Sequence, residues 1–317
     1  MSLSTFLIIF VIAFFAMVLI SLVVEALRPK PSEPAKLDWA EDIPIQYADL
    51  DGTRVRYIKT GEGPNLLLLH TLRTQLDIFQ KMIPELSKSF TVYAMDYPGH
   101  GWSDIPETDY TPELFLKTIE QFLDELNIEG ATLAGVSIGG SISLLLAARQ
   151  NERIKNVISI NPYDYGKGKG VERGNIVAWL IFTLARFPVL GETVMRLRNK
   201  MVEKMIMQGG VANNDSLPEE FLKQIWDTGV RKGHYRGFIN LIRNAHKWEE
   251  ARREYGQIKA PILLIYGEKD WSRENERKRN IDDIPGATFE IVNKGGHFLV
   301  LDQPDEVIRL IKQHAHI

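Results

Sequence analysis

The chain has no cysteine. That excludes disulfides, thiolate metal sites and a cysteine nucleophile, and it fits a reducing compartment. Charge of one sign is lacking too. Its 38 basic and 41 acidic residues leave a formal net charge of −3, so no overall basic field recruits nucleic acid. The glycines and lysines of "YGKGKGVERG" lack the GxxxxGK[ST] spacing that cradles phosphate, and the stretch reads as a loop. No internal repeat is present. With 44% hydrophobic and 25% charged residues, most of the 317-residue chain has globular composition.

The N-terminus is the exception. From Leu3 to Val24 there is no charge and only hydroxyl residues interrupt the apolar run. A helix of that length crosses a hydrocarbon core of about 30 Å. A cleaved signal peptide is the alternative, with "VVEAL" as a weak cleavage site. It is disfavoured because no Lys or Arg precedes the run, which also exceeds an h-region of about 7–15 residues. Residues 1–27 therefore read as a transmembrane anchor. Arg28, Lys30 and Lys36 follow it, and the positive-inside bias places the body of the protein in the cytoplasm. The segment 28–37, with three prolines, reads as a stiff extended spacer.

From residue 38 onward strands and helices alternate. "IQYADLDGTRVRYIKTG" reads as two strands about an Asp51-Gly52 turn. "NLLLLH" is a short continuous apolar run, as in a strand buried on both faces. A helical pattern over 77–88 and a strand ending at Asp96 follow. Next comes a helix opened by Thr111 and Pro112, with Leu114, Ile119, Phe122, Leu123 and Leu126 on one face. Further strands are expected at "ATLAG", "KNVISIN", "PILLIYG" and "TFEIV", with helices between them and a last helix after Gln303. This order predicts an α/β fold, a mostly parallel sheet with helices on both faces and a ligand site at the strands' carboxyl ends.

The alternation stops over about 163–255, which reads as a helical cap insertion on a domain spanning 38–317. The stretch from Asn175 to Met207 is strongly apolar and reads as helical. Its apolar face either packs on the core or touches lipid, with Trp179 and Phe182 as interfacial residues.

Between the strand "ATLAG" and the helix "IGGSISLLLAAR" stands Ser137, in Gly135-Val136-Ser137-Ile138-Gly139. A turn this tight lifts Oγ above the sheet and demands glycine at the two flanking positions. It also leaves the first helical N–H groups pointing at the site, where they can bind a developing negative charge.

With these residues the chain resembles the α/β-hydrolase superfamily from about Ile45 to the C-terminus. "MDYPGHGWSD", "GVSIGG", "YGEKDW" and "GGHFLVLDQPDEV" resemble the family's fourth-strand loop, nucleophile elbow, acid loop and histidine loop. The resemblance implies a fold; substrate is another matter.

A serine nucleophile needs a base, and a histidine base needs a carboxylate. Of seven histidines, His297 follows the last predicted strand at the Ser137 end. His100 reads as structural, His234 and His246 lie in the cap, and His314 and His316 lie at the terminus. Asp270 gives the Ser…Asp…His order of the fold. Glu268 and Asp164 are its rivals. For the oxyanion hole Ile138 supplies one N–H, and by position Leu72 supplies the other. Here the chain departs from the family, which commonly has His-Gly where this sequence has His70-Thr71-Leu72-Arg73. Arg73 is expected to pair with Asp77, or else to meet a substrate carboxylate.

The resemblance implies a serine hydrolase acting on a hydrophobic ester, similar to membrane-anchored monoacylglycerol lipases, with no metal or organic cofactor. Its partners would be a small hydrophobic ester or lipid substrate and membrane lipid. Thioesterase, C–C hydrolase and cofactor-free haloperoxidase chemistry on the same triad, or a silent binding protein, are the alternatives.

Overall fold

The computed structural model describes residues 2–316, so the outermost residues of the anchor and of the main domain, Met1 and Ile317, lie outside the described residues. Eight strands form one sheet: β1 (Ile45–Leu50), β2 (Thr53–Thr60), β3 (Asn65–Leu69), β4 (Thr91–Met95), β5 (Ala131–Val136), β6 (Ile154–Ile160), β7 (Ile262–Gly267) and β8 (Thr288–Val292). Their spatial order is β1-β2-β4-β3-β5-β6-β7-β8, antiparallel at β1/β2 and β2/β4 and parallel elsewhere. The predicted α/β architecture is the one observed.

Among the described residues thirteen α-helices accompany the sheet: α1 (Leu3–Ala26), α2 (Ile83–Leu86), α3 (Pro112–Glu125), α4 (Ile138–Ala148), α5 (Ile176–Ala185), α6 (Leu190–Arg196), α7 (Lys200–Gln208), α8 (Glu219–Gly229), α9 (His234–Arg243), α10 (His246–Ala251), α11 (Glu274–Asp283), α12 (Leu299–Asp302) and α13 (Pro304–His314).

Alternation along β3 shows why its run is wholly apolar. Leu67 and Leu69 pack with Phe115, Ile119 and Leu144 on one face. Leu66 and Leu68 pack with Phe79, Leu299 and Ile311 on the other. Successive side chains of a strand point to opposite faces, so a centre strand covered by helices twice over has no polar side. The Asp51-Gly52 turn takes positive φ at both residues (53° and 80°), as a tight hairpin requires.

Two expectations change and one feature is added. The helix predicted over 77–88 is a 3₁₀ turn at Leu76–Phe79 followed by the short α2. Pro84 has no N–H to donate backwards, so a helix can start at it but not run through it. Likewise Asn175 to Met207 forms three helices. Pro188 breaks the first, and Asn199 caps α7 by accepting from the Val202 N–H at 3.0 Å. Lastly, β8 is an edge strand with Phe289 and Ile291 exposed.

Helix α1 is 24 residues long and its most apolar 18-residue stretch has a mean hydropathy of 3.3, enough by length and composition to cross a membrane. Its C-terminal end packs on α6. The Arg28 guanidinium donates to the carbonyls of Arg196 (2.5 Å), the last residue of α6, and Arg198 (3.1 Å), just beyond it, which have no helical partner. Glu25 pairs with Arg198 at 2.8 Å. The spacer therefore leaves α1 attached to the cap rather than swinging clear.

Candidate active site

Ser137 joins β5 to α4 with φ 59° and ψ −117°. A non-glycine residue held there costs roughly 1–3 kcal/mol, supplied by the surrounding fold. The flanking glycines permit it. A Cβ on Gly135 would lie 2.1 Å from the Gly139 carbonyl oxygen, and one on Gly139 would lie 2.2 Å from the Leu69 carbonyl oxygen.

Ser137 Oγ lies 2.9 Å from His297 Nε2, and His297 Nδ1 lies 2.5 Å from Asp270 Oδ1. All three are buried, Ser137 with 2% of its surface exposed. The second Asp270 oxygen accepts from the Ser272 N–H at 2.9 Å and from the Ser272 hydroxyl. Burial pushes the Asp270 carboxyl up, but attraction to His297 and the bonds from His297 and Ser272 outweigh it and hold the group below its ordinary value. A carboxylate kept charged beside Nδ1 fixes the tautomer that leaves Nε2 free to take a proton from the hydroxyl.

The rivals are engaged elsewhere. Asp164 accepts from the Tyr255 hydroxyl at 2.9 Å and from Asn280 Nδ2 at 3.1 Å, and it faces Arg252. Glu268 accepts from the Lys294 N–H at 3.0 Å and ties β7 to the loop after β8. Among the other histidines, His100 is pushed down to about 4, mainly by burial, and its Nδ1 lies 3.2 Å from the Pro98 carbonyl.

Leu72 and Ser137 line the same cavity. Neither the Leu72 nor the Ile138 N–H has a protein acceptor among the described residues, so both are available to an oxyanion. His70, carried over only as part of a motif, holds this loop. It accepts from the Tyr97 N–H at 3.1 Å through Nε2 and donates from Nδ1 to the Thr71 carbonyl at 2.8 Å. Burial and then the neighbouring His100 keep its pKa far below the ordinary value, so it is neutral and can do both.

The expected Arg73–Asp77 pair does not form. Asp77 serves the buried Arg56 at 2.9 Å, together with Asp96 at 3.2 Å. A guanidinium with 1% exposure has no water to stabilise it and needs both carboxylates. Arg73, at φ 65°, turns instead toward the cap. It pairs with Glu203 on α7 at 2.8 Å and donates to His234 on α9 at 2.7 Å.

Four positioning residues escaped the sequence reading. Asn161, at the end of β6 with φ 46°, donates to the Gly296 (3.0 Å) and His297 (2.9 Å) carbonyls and accepts from the Gly267 N–H at 2.9 Å. It links the histidine loop to the acid strand, and its signal was an Asn ending a buried strand. Asp302 accepts from the N–H groups of Gly296 and Ala212, each at 2.8 Å. Trp271 stacks on the His297 ring at 3.7 Å and 13° and donates to the Gly209 carbonyl. Phe298 donates its N–H to the Gly210 carbonyl at 2.7 Å, so the cap is seated directly on the histidine loop.

Over residues 64–304 the sequence matches the family model for the α/β-hydrolase fold. The chain belongs to that family. This α/β hydrolase is 25% identical over 85% of its length to the dihydrolipoyllysine-residue acetyltransferase component of the acetoin cleaving system of Cupriavidus necator, covering 68% of that protein. It is 27% identical over 86% of its length to a haloalkane dehalogenase from Psychrobacter cryohalolentis, covering 91% of it. Among solved structures it is similar to Cfl2 from Burkholderia cenocepacia, with a TM-score of 0.78 at 18% identity, covering 88% of this chain and 97% of that one.

The cavity above Ser137 is narrow, about 80 Å³. In this hydrolase Ile181, Phe182, Met195, Val202 and Phe238 from the cap line it opposite Leu72 and Trp271. Phe182, expected at a lipid interface, faces inward with 3% exposure and packs edge-on against Phe238. Trp179 and Leu180 of the same helix are each 48% exposed.

Proposed function

We propose that this chain is a serine hydrolase that cleaves hydrophobic carboxylic esters. The carrying observation is the continuous Asp270–His297–Ser137 hydrogen-bonded chain beneath an apolar cavity. Ser137 Oγ attacks the ester carbonyl while its proton passes to His297 Nε2. The oxyanion rests on the N–H groups of Ile138 and Leu72. Collapse expels the alcohol, which takes the proton from His297, and leaves an acyl-serine. Water, deprotonated by His297, then releases the acid and restores Ser137. Dehalogenation and epoxide opening in this superfamily use a carboxylate at the elbow, so the serine favours acyl transfer. A fluorophosphonate probe tests the reading. It should label the wild-type protein at Ser137 and not Ser137→Ala, whose ester turnover should fall about 10⁴-fold or more. Near-wild-type turnover by a pure Ser137→Ala preparation would overturn it.

The membrane reading extends this. We infer that α1 is retained as an anchor with the catalytic domain on the cytoplasmic side, and that the cap lies against the bilayer. The exposed Ile176, Trp179, Leu180, Phe187 and Met201 support it. They sit on or beside helices α5 and α7, whose inner faces line the cavity, and α6 between them holds the end of α1. Helix α5 is apolar on both faces, as expected where one side meets substrate and the other meets lipid, and α7 adds Met201 beside it.

A further inference from the structure

The larger cleft of this protein lies away from Ser137, where α1 meets the cap and the loop after β4, and encloses about 1080 Å³. We propose that it binds the phosphate-bearing headgroup of an anionic membrane lipid. The proposal rests on α1 remaining in the mature chain as a membrane span.

Twenty-four residues at about 1.5 Å each make α1 about 36 Å long, slightly more than a hydrocarbon core of about 30 Å. Its last turn and the residues just beyond it therefore stand at headgroup level, and they form one wall of the cleft. The charges there do not balance. Three acids line it, and each is already engaged. Glu25 pairs with Arg28 and Arg198, Glu107 pairs with Arg236 at 3.2 Å, and Asp109 accepts from Asn240 at 3.1 Å. Lys30 and Lys232 line the same cleft with no carboxylate within ion-pair distance among the described residues. Arg196 bonds there only through Nε, to the neutral Tyr235 hydroxyl at 3.1 Å. Three cations without a carboxylate partner, against one aspartate bonded only to a neutral amide, thus line one cleft in a protein whose overall charge is −3. A basic pocket beside a membrane helix is suited to an anionic headgroup. Leu22 and Ala26 on the α1 wall leave the acyl chains an apolar path back along the helix, which inorganic phosphate would not use.

The test uses the full-length protein in neutral detergent micelles and native mass spectrometry with added phosphatidylglycerol, phosphatidylcholine or inorganic phosphate. Phosphatidylglycerol should form a one-to-one adduct that phosphatidylcholine does not match. Lys30→Gln combined with Lys232→Gln should weaken it about 30-fold, from roughly fivefold for each lysine near a headgroup. Equal binding of both lipids, or an unchanged affinity in the double variant, would overturn the proposal. Displacement of the lipid by millimolar inorganic phosphate would assign the cleft to a soluble anion instead. An intact mass lacking α1 would remove the wall and sink the idea. Fluorophosphonate labelling of Ser137 in the same samples keeps the two readings apart. It should be equal in wild type and double variant, and its absence from both would remove the hydrolase reading while leaving the lipid result standing.

Discussion

The sheet end and the cap hold their parts in place by different means. Around Ser137 the backbone decides. A positive φ, two glycines that admit no Cβ and a strand-to-helix turn leave the hydroxyl one position to occupy. Across the cap the decisive links are long side chains between distant segments: Arg73 to Glu203, Arg173 to Glu276 at 2.6 Å, Arg198 to Glu25. Backbone sterics are insensitive to solvent and cannot be rearranged cheaply. Ion pairs between flexible side chains can be re-formed with other partners, although at 9–26% side-chain exposure none of these is cheaply left unpaired. A rigid sheet end under a cap held by side-chain pairs suits the opening that the proposed hydrophobic ester would need to enter the narrow resting cavity.

Substitutions can break or sharpen that contrast. The largest effect belongs to the sheet end. Asp270→Asn should lower ester turnover by about 10³–10⁴-fold, because an amide leaves His297 in the wrong tautomer and without charge support. Asp164→Asn should leave turnover within about tenfold while lowering the denaturation midpoint, since its bonds are structural. The reverse ranking in steady-state assays would move the acid function to the end of β6.

A smaller loss is expected from Asn161→Ala. Without its three bonds the histidine loop is free to shift, and a displacement of about 1 Å costs on the order of 10²-fold. Fluorophosphonate labelling rates should drop in parallel with kcat, and KM should change little. A KM effect alone would show that Asn161 shapes the cavity rather than the base.

The smallest effect is expected in the cap. Glu203→Gln keeps a hydrogen-bond acceptor for Arg73 but removes the charge, so kcat should fall by less than about tenfold, with the change mainly in KM. A loss as large as that of Asp270→Asn would mean that the cap sets the oxyanion loop directly through Arg73, and the contrast between the two regions would fail.

Much of the fold was legible from local pattern. The apolar length of α1, the two-sided apolar run of β3, the Asp51-Gly52 turn and the elbow each depend on residues within a few positions of one another. Sterics and hydrophobic periodicity act at that range, so a sequence displays them directly. The breaks at Pro84 and Pro188 are equally local, since a missing N–H is a property of the residue itself.

What assembly alone decided is of another kind. Asp270, Asp164 and Glu268 are all carboxylates near strand ends, and only the packed sheet shows which one reaches Nδ1 of His297. Arg73 and Asp77 are neighbours in sequence, yet the buried Arg56 takes the aspartate and the cap takes the arginine. Phe182 and Trp179 lie one turn apart on one short apolar helix, yet only Phe182 is buried. Asn161 joins two loops that each lie more than a hundred residues from it in sequence. Such choices depend on which groups lose water together, and desolvation is a property of the packed molecule. No short stretch of chain encodes it.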